Sequence, residues 1–233
     1  MRLLAFAVLL LGFSVHAAEK VTRTCRILFL DDAGNAPKKL HLFDGSASQE
    51  VELTRMGFSP IYKIAAGDIT LAMLASPPVA DEGGKGFVIP PGAPKAAVTA
   101  AIADCYLMVA SDPSNKVAPV RFQMIDASAA RFKQGHMLWF NLTENRIAGT
   151  LGKRKLLVEP NSNAMIKPPA NKLEDYHVNI QYLAPGAQRA EPLCETNWTC
   201  DPRSRSVFII ANTGGRVPRV LGFPDFREVD EEQ

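Results

Sequence analysis

Apolar and polar residues alternate in short runs along most of this chain, the spacing of β-strands whose two faces meet different surroundings. The clearest case is Tyr176, Val178, Ile180 and Tyr182 on one parity against His177, Asn179 and Gln181 on the other. Leu40 and Leu42 alternate with Lys39 and His41, and Val51 and Leu53 with Glu50, Glu52 and Thr54. Two stretches are apolar on both parities, Arg23 to Leu30 and Met137-Leu138-Trp139-Phe140, as strands covered on both sides are. Further strands are predicted at Ile61 to Ile64, Ile69 to Leu74, Asp104 to Ala110, Val117 to Ile125, Arg146 to Leu151, Lys155 to Val158, Arg205 to Ala211 and Val217 to Phe223. Ala65-Ala66-Gly67-Asp68 between two such runs reads as a hairpin turn, and Gly152-Lys153-Arg154 as a hairpin with a basic tip. Lys95 to Ala103 is alanine-rich, yet its alternation favours strands over a helix.

No alternating helical blocks separate the strands, so the expected fold is all-β: two antiparallel β-sandwich-like domains, with one large continuous sandwich as the alternative. Ser111-Asp112-Pro113-Ser114-Asn115 is polar and contains proline, which places the domain boundary there, giving domains 18–111 and 112–224. Residues 225–233 read as an acidic tail. The proline-rich stretch Ser76 to Pro94 reads as a long surface connection with at most one short strand, around Phe87 to Ile89. Lys39 to Asp44 and Val120 to Asp126 share a loose rhythm, too generic to establish a duplication.

The start of the chain changes the picture. Met1-Arg2, an apolar run from Leu3 to Val15 and Val15-His16-Ala17 have the build of a cleavable export signal, residues 1–17. The expectation is a periplasmic or secreted protein with no membrane span in the mature chain. In an oxidising compartment four cysteines suggest two disulfides, and short loop closure favours Cys194 with Cys200, leaving Cys25 with Cys105. The formal net charge of +2 hides an uneven distribution: −1 over Glu19 to Ser111, +6 over Asp112 to Gly222 and −4 over Phe223 to Gln233. A basic second half suits an anionic envelope polysaccharide or another envelope protein, and no nucleic-acid partner is expected.

Catalytic signals are weak. His41, His136 and His177 fit no metal spacing and read as surface or edge residues. The nearest approach to a nucleophile elbow, Gly45-Ser46-Ala47-Ser48-Gln49, lacks its second glycine. Asp31-Asp32, Glu50/Glu52, Glu174-Asp175 and Glu228 supply carboxylates that a glycosidase could pair, but adjacent acids at strand ends are more often solvated turns. Asp31, Asp32 and Asn35 read as a turn rather than a calcium loop. Gly214-Gly215 lacks the lysine and helix of a phosphate loop. Asn141-Leu142-Thr143 and Asn197-Trp198-Thr199 match glycosylation acceptors. No cofactor or metal is expected. The one specific binding candidate is Trp198, pinned in the Cys194–Cys200 loop near Arg203 and Arg205, where a ring and two guanidinium groups can stack and pair with anions. The favoured function is a non-catalytic exported binding or structural protein. The alternatives are a hydrolase of cell-wall or extracellular polymers and an inhibitor or assembly subunit using an exposed sheet edge.

Overall fold

A computed structural model describes residues 23–30, 37–55, 57–81, 83, 86–212, 214–215 and 217–227. The export signal, the Asp31–Asn35 turn and Glu228 lie outside the described residues. In chain order the strands are β1 (Arg23–Leu30), β2 (Lys39–Phe43), β3 (Ser48–Glu52), β4 (Tyr62–Ile64), β5 (Ile69–Leu74), β6 (Val79–Ala80), β7 (Phe87–Val88), β8 (Lys95–Val98) and β9 (Asp104–Ser111). They continue as β10 (Val120–Asp126), β11 (Met137–Asn141), β12 (Arg146–Leu151), β13 (Arg154–Val158), β14 (Ser162–Ile166), β15 (Glu174–Leu183), β16 (Glu191–Cys200), β17 (Ser204–Ala211) and β18 (Arg219–Phe226). The fold is all-β and sandwich-like.

Four sheets of four strands carry the architecture, in the orders β10-β9-β1-β4, β3-β2-β5-β8, β14-β11-β17-β18 and β13-β12-β15-β16; β6 and β7 pair as a small hairpin. The first two sheets enclose a core built on Ile27, Phe29, Leu42, Leu71, Val98, Leu107 and Val120. The last two enclose one built on Trp139, Ile147, Val158, Val178, Ile180 and Ile210. The expectation of purely antiparallel sheets needs correction, since β1 pairs parallel with β9 and β11 parallel with β17. Nor do β4 and β5 form a hairpin: β4 pairs with β1 and β5 with β2, so the Ala65–Asp68 turn carries the chain from one sheet to the other.

The two halves repeat one topology. Replacing β1, β2, β3, β4, β5, β8, β9 and β10 by β11 to β18 in order turns the first pair of sheets into the second, each pairing keeping its parallel or antiparallel sense. The rhythm shared by Lys39–Asp44 and Val120–Asp126 does not belong to this repeat, because the counterpart of β2 is β12. The division also moves. Strand β10 lies beyond the expected boundary at Ser111, yet it completes the first sheet beside β9, so the chain passes between halves within residues 127–136. At the other end Asp225 and Phe226 belong to β18 rather than to a tail.

Strands β1 and β11 are apolar on both parities because their sheets are covered on both faces. Leu28, Tyr106 and Met108 of the first half pack against Leu138, Phe140, Val207, Ile209 and Phe223 of the second. The equivalent sheet of each half forms this junction, so the halves meet as the subunits of a two-fold dimer do. Four layers result, with the β1 and β11 sheets inside and the β2 and β12 sheets outside.

Candidate functional site

The three binding candidates separate in the structure. Arg205 is 4% exposed and does not reach a surface. It sits on β17, on the parity of Val207 and Ile209 that faces the first half. Its guanidinium bonds Asp104 at 2.9 Å and Asp225 at 2.8 Å and donates to the carbonyls of Ala127 and Phe132. Arg227 reaches the same two carboxylates, and Arg26 and the Tyr106 hydroxyl also bond Asp225. The Arg205 guanidinium lies over the rings of Tyr106 and Phe132. Arg205 is therefore a clamp between the halves and not a contact residue, a role that only the junction of β9, β17 and β18 reveals. Burial alone would push the Asp225 carboxyl up, but hydrogen bonds from Tyr106, Arg227 and Arg205 outweigh it and hold it below the usual carboxylate range. Burial, reinforced by the Asp225 charge, pushes the Tyr106 phenol up.

Arg203 is exposed, but both of its bonding nitrogens are held by the Asp201 carboxylate at 3.0 and 2.7 Å. Cys194 and Cys200 do not close a loop. Both lie on the continuous strand β16, whose rise of about 3.3 Å per residue separates them by about 20 Å, against a Cα limit of about 7 Å for a bridge. All four thiols are free. Cys25 and Cys105 are fully buried register partners on β1 and β9, and their mutual hydrogen bond, with burial, pushes the Cys25 thiol well up.

Trp198 is half-buried, on the inward parity of β16. Its ring stacks on Phe208 at 5.1 Å, and Phe208 stacks on Trp139 at 4.3 Å. The edge of Tyr176 closes against it. Ala164, Trp139, Phe208 and Gly222 form one row across the β14-β11-β17-β18 sheet. The Phe208 ring leans over Gly222, where a Cβ would come within 2.9 Å of it. A small residue at the sheet edge thus makes room for the stack and leaves space beyond it.

That space is a groove of about 420 Å³ along the open side of the second sandwich, between its edge strands β16 and β18. Tyr176, Trp198, Phe208 and Phe226 give it aromatic walls, while Ser204, Ser206 and Asp201 supply polar groups. Phe226 is 57% exposed. The first half shows what this side looks like when closed. There β10 packs against β8, and Phe122, Met124 and Ile102 seal the core. In the second half Val220 on β18 still packs on the core, but the next inward positions carry Gly222 and Pro224, too small or too stiff to fill the gap. Signals for the groove lay in Gly222 and in the alternation of Cys194, Trp198 and Cys200, which the expected disulfide obscured.

The remaining candidates do not converge. His177 and Glu195 face each other at 3.8 Å on the exposed outer face of β15 and β16. His136 is half-buried rather than a surface residue; its Nδ1 has no hydrogen-bond partner, and burial with the charges of Lys133 and Lys167 lowers its pKa. Glu50 pairs with Lys39 at 2.6 Å and Glu174 with Lys172 at 3.4 Å. A second cleft, of about 340 Å³ between the halves, presents one carboxylate, Asp126, ion-paired with Arg131 at 3.6 Å. Among the described residues no group of three His, Cys, Asp or Glu side chains is placed to hold a metal ion. Asn141 is fully buried, its amide bonded to the carbonyls of Asn145 and Glu159, which makes it structural rather than a glycosylation acceptor in the folded chain. Among the described residues no helix is long and apolar enough to cross a membrane. No protein-family model and no curated protein matches the chain.

Proposed function

We propose that the protein is an exported, non-catalytic binding protein that accepts an extended segment of a protein partner along the open side of its second sandwich. The observation that carries this reading is the contrast between two copies of one topology, the first sealed between β8 and β10, the second open between β16 and β18 above an aromatic stack. Strand β16 pairs only with β15 among the described residues, so on its other edge alternate residues of this ten-residue strand present N–H and C=O groups that no strand pairs. Backbone pairing with such an edge supplies affinity, and alternate side chains entering the groove supply selectivity. The fixed junction between the halves suits a rigid acceptor, which loses little freedom on binding. Export would also bring Cys25 and Cys105, already register partners, into oxidising surroundings, so this pair belongs to the proposal and a Cys194–Cys200 bridge does not.

A synthetic strand-length peptide of alternating valine and threonine, with lysines at its ends, is the probe. Its binding, followed by tryptophan emission, should weaken at least about tenfold in Ser206→Phe, which fills the groove, and in Phe226→Ala, which removes an exposed wall without adding bulk. Unchanged affinity in both variants, or no binding to the wild type, would overturn the reading. Tryptophan quenching by a soluble cell-wall polysaccharide but not by the peptide would overturn it in favour of a sugar ligand.

A further inference from the structure

Strand β16 lies at one edge of the β13-β12-β15-β16 sheet and β13 at the other, and the two edges carry opposite charge. Lys153, Arg154 and Lys155 stand at β13, all exposed, and none forms an ion pair among the described residues. The opposite edge carries Glu195 and Glu191 on β16 and Asp175 beside them on β15. Among the described residues Glu195 is held only by a 3.8 Å approach of His177.

Direction and facing agree as well. Each neighbouring pair in this sheet is antiparallel, so β13 and β15 run one way and β12 and β16 the other. A second copy in the same orientation, placed beside the first, brings its β13 antiparallel to β16, and the alternation continues unbroken. Facing follows from parity. Leu156 and Val158 are buried inward, so Lys155 and the exposed Leu157 point to the outer face. Glu195 points to that same face, because Cys194 packs inward. Lys155 of one copy and Glu195 of the next therefore meet on one surface of a continuous sheet, where opposite charges across strands attract.

Resting on the strand-acceptor reading above, we propose that the partner at β16 is the β13 edge of a second copy of this chain, in a head-to-tail contact. Such a contact is heterologous: the edge that gives differs from the edge that receives, and it propagates into a ring or a filament. The neighbouring copy's β13 also walls off the groove beside Trp198.

Analytical ultracentrifugation of the full mature protein, over a wide concentration range at low and high salt, tests this. Association should appear with rising concentration and weaken as salt screens the edges. The double variant Lys153→Glu/Lys155→Glu should weaken it at least about tenfold, as should Glu195→Lys, each checked for native circular dichroism. Mixing these two folded variants should restore association, because each then supplies the complement of the other's reversed edge. A wild type that stays monomeric throughout, reversal without effect, or a mixture that fails to recover would overturn the proposal. If the valine–threonine peptide still binds a monomeric wild type, only the second-copy partner is overturned and the acceptor strand stands. If neither occurs, both fall.

Discussion

Asp225→Ala is expected to destabilise the protein by about 3–5 kcal/mol, the range for removing one partner of a buried charge cluster. Asp225 is fully buried and accepts from Arg26, Tyr106, Arg205 and Arg227, so its loss leaves Arg205 and Arg227 facing Asp104 alone and Arg26 with only the Ser59 carbonyl. The groups come from both halves, so separation of the halves should accompany the loss. Urea unfolding measures it, and a cost under about 1 kcal/mol, typical of exposed pairs, would mean the cluster is not a clamp. The pH dependence has a definite sign. The folded carboxyl titrates below its unfolded value, so its contribution is complete above about pH 4 and fades as pH falls through the lower folded value. Asp225→Asn should flatten this acid limb. At the alkaline end the sign reverses: the Tyr106 phenol is raised, so its contribution is complete below about pH 10 and declines as pH rises above it.

Trp139→Ala is expected to cost a similar amount, about 3–5 kcal/mol, through the cavity left at the centre of the row Ala164–Trp139–Phe208–Gly222. Trp139 is fully buried and its indole N–H has no hydrogen-bond partner, so Trp139→Phe should cost less than half as much by keeping a ring and removing that N–H. Trp198→Ala should fall below Trp139→Ala, because Trp198 is only half-buried and one side of the groove is open beside it. Thermal or urea titration of the three variants gives the order. Equal losses at Trp139 and Trp198 would mean that the groove is closed in solution, and that Trp198 belongs wholly to the core.

Much of the fold was legible because burial on one or both faces writes itself into residue parity. Strands β1, β5 and β12 coincide with their predicted ranges, and the two-sided apolar runs at β1 and β11 anticipated sheets covered on both faces. Besides the two-residue β6, two strands have no counterpart among the predicted ones, for opposite reasons. Ser162–Ile166 is short, follows the Pro160-Asn161 turn and alternates residues of modest contrast. Glu191–Cys200 is long enough to read as a strand, but two cysteines six positions apart in an exported chain suggest a closed loop, and that hides the parity of Cys194, Trp198 and Cys200. Such a loop replaces an edge strand and places Trp198 at its tip.

Arg205 was illegible for a different reason. An arginine opening a strand reads as exposed, and only the pairing of β17 with β18 and the packing of β17 on the first half bring Asp104 and Asp225 to it. The duplication was likewise hidden. What the halves share is strand order and direction, while the residues on corresponding strands differ, as the inward Phe122 and Met124 of β10 contrast with Gly222 and Pro224 of β18. On the proposed function that difference is what the repeat is used for: one copy closed into a core, the other left open.

Hydrogen exchange of the full protein, with and without the valine–threonine peptide, addresses that contrast at the level of single strands. Peptide binding should slow exchange of the backbone amides along β16 and leave those of β8 and β10 unchanged, because the first half is already sealed. Protection at β8 or β10, or none at β16 with the peptide bound, would contradict the account that the second sandwich is the open copy and β16 its acceptor strand.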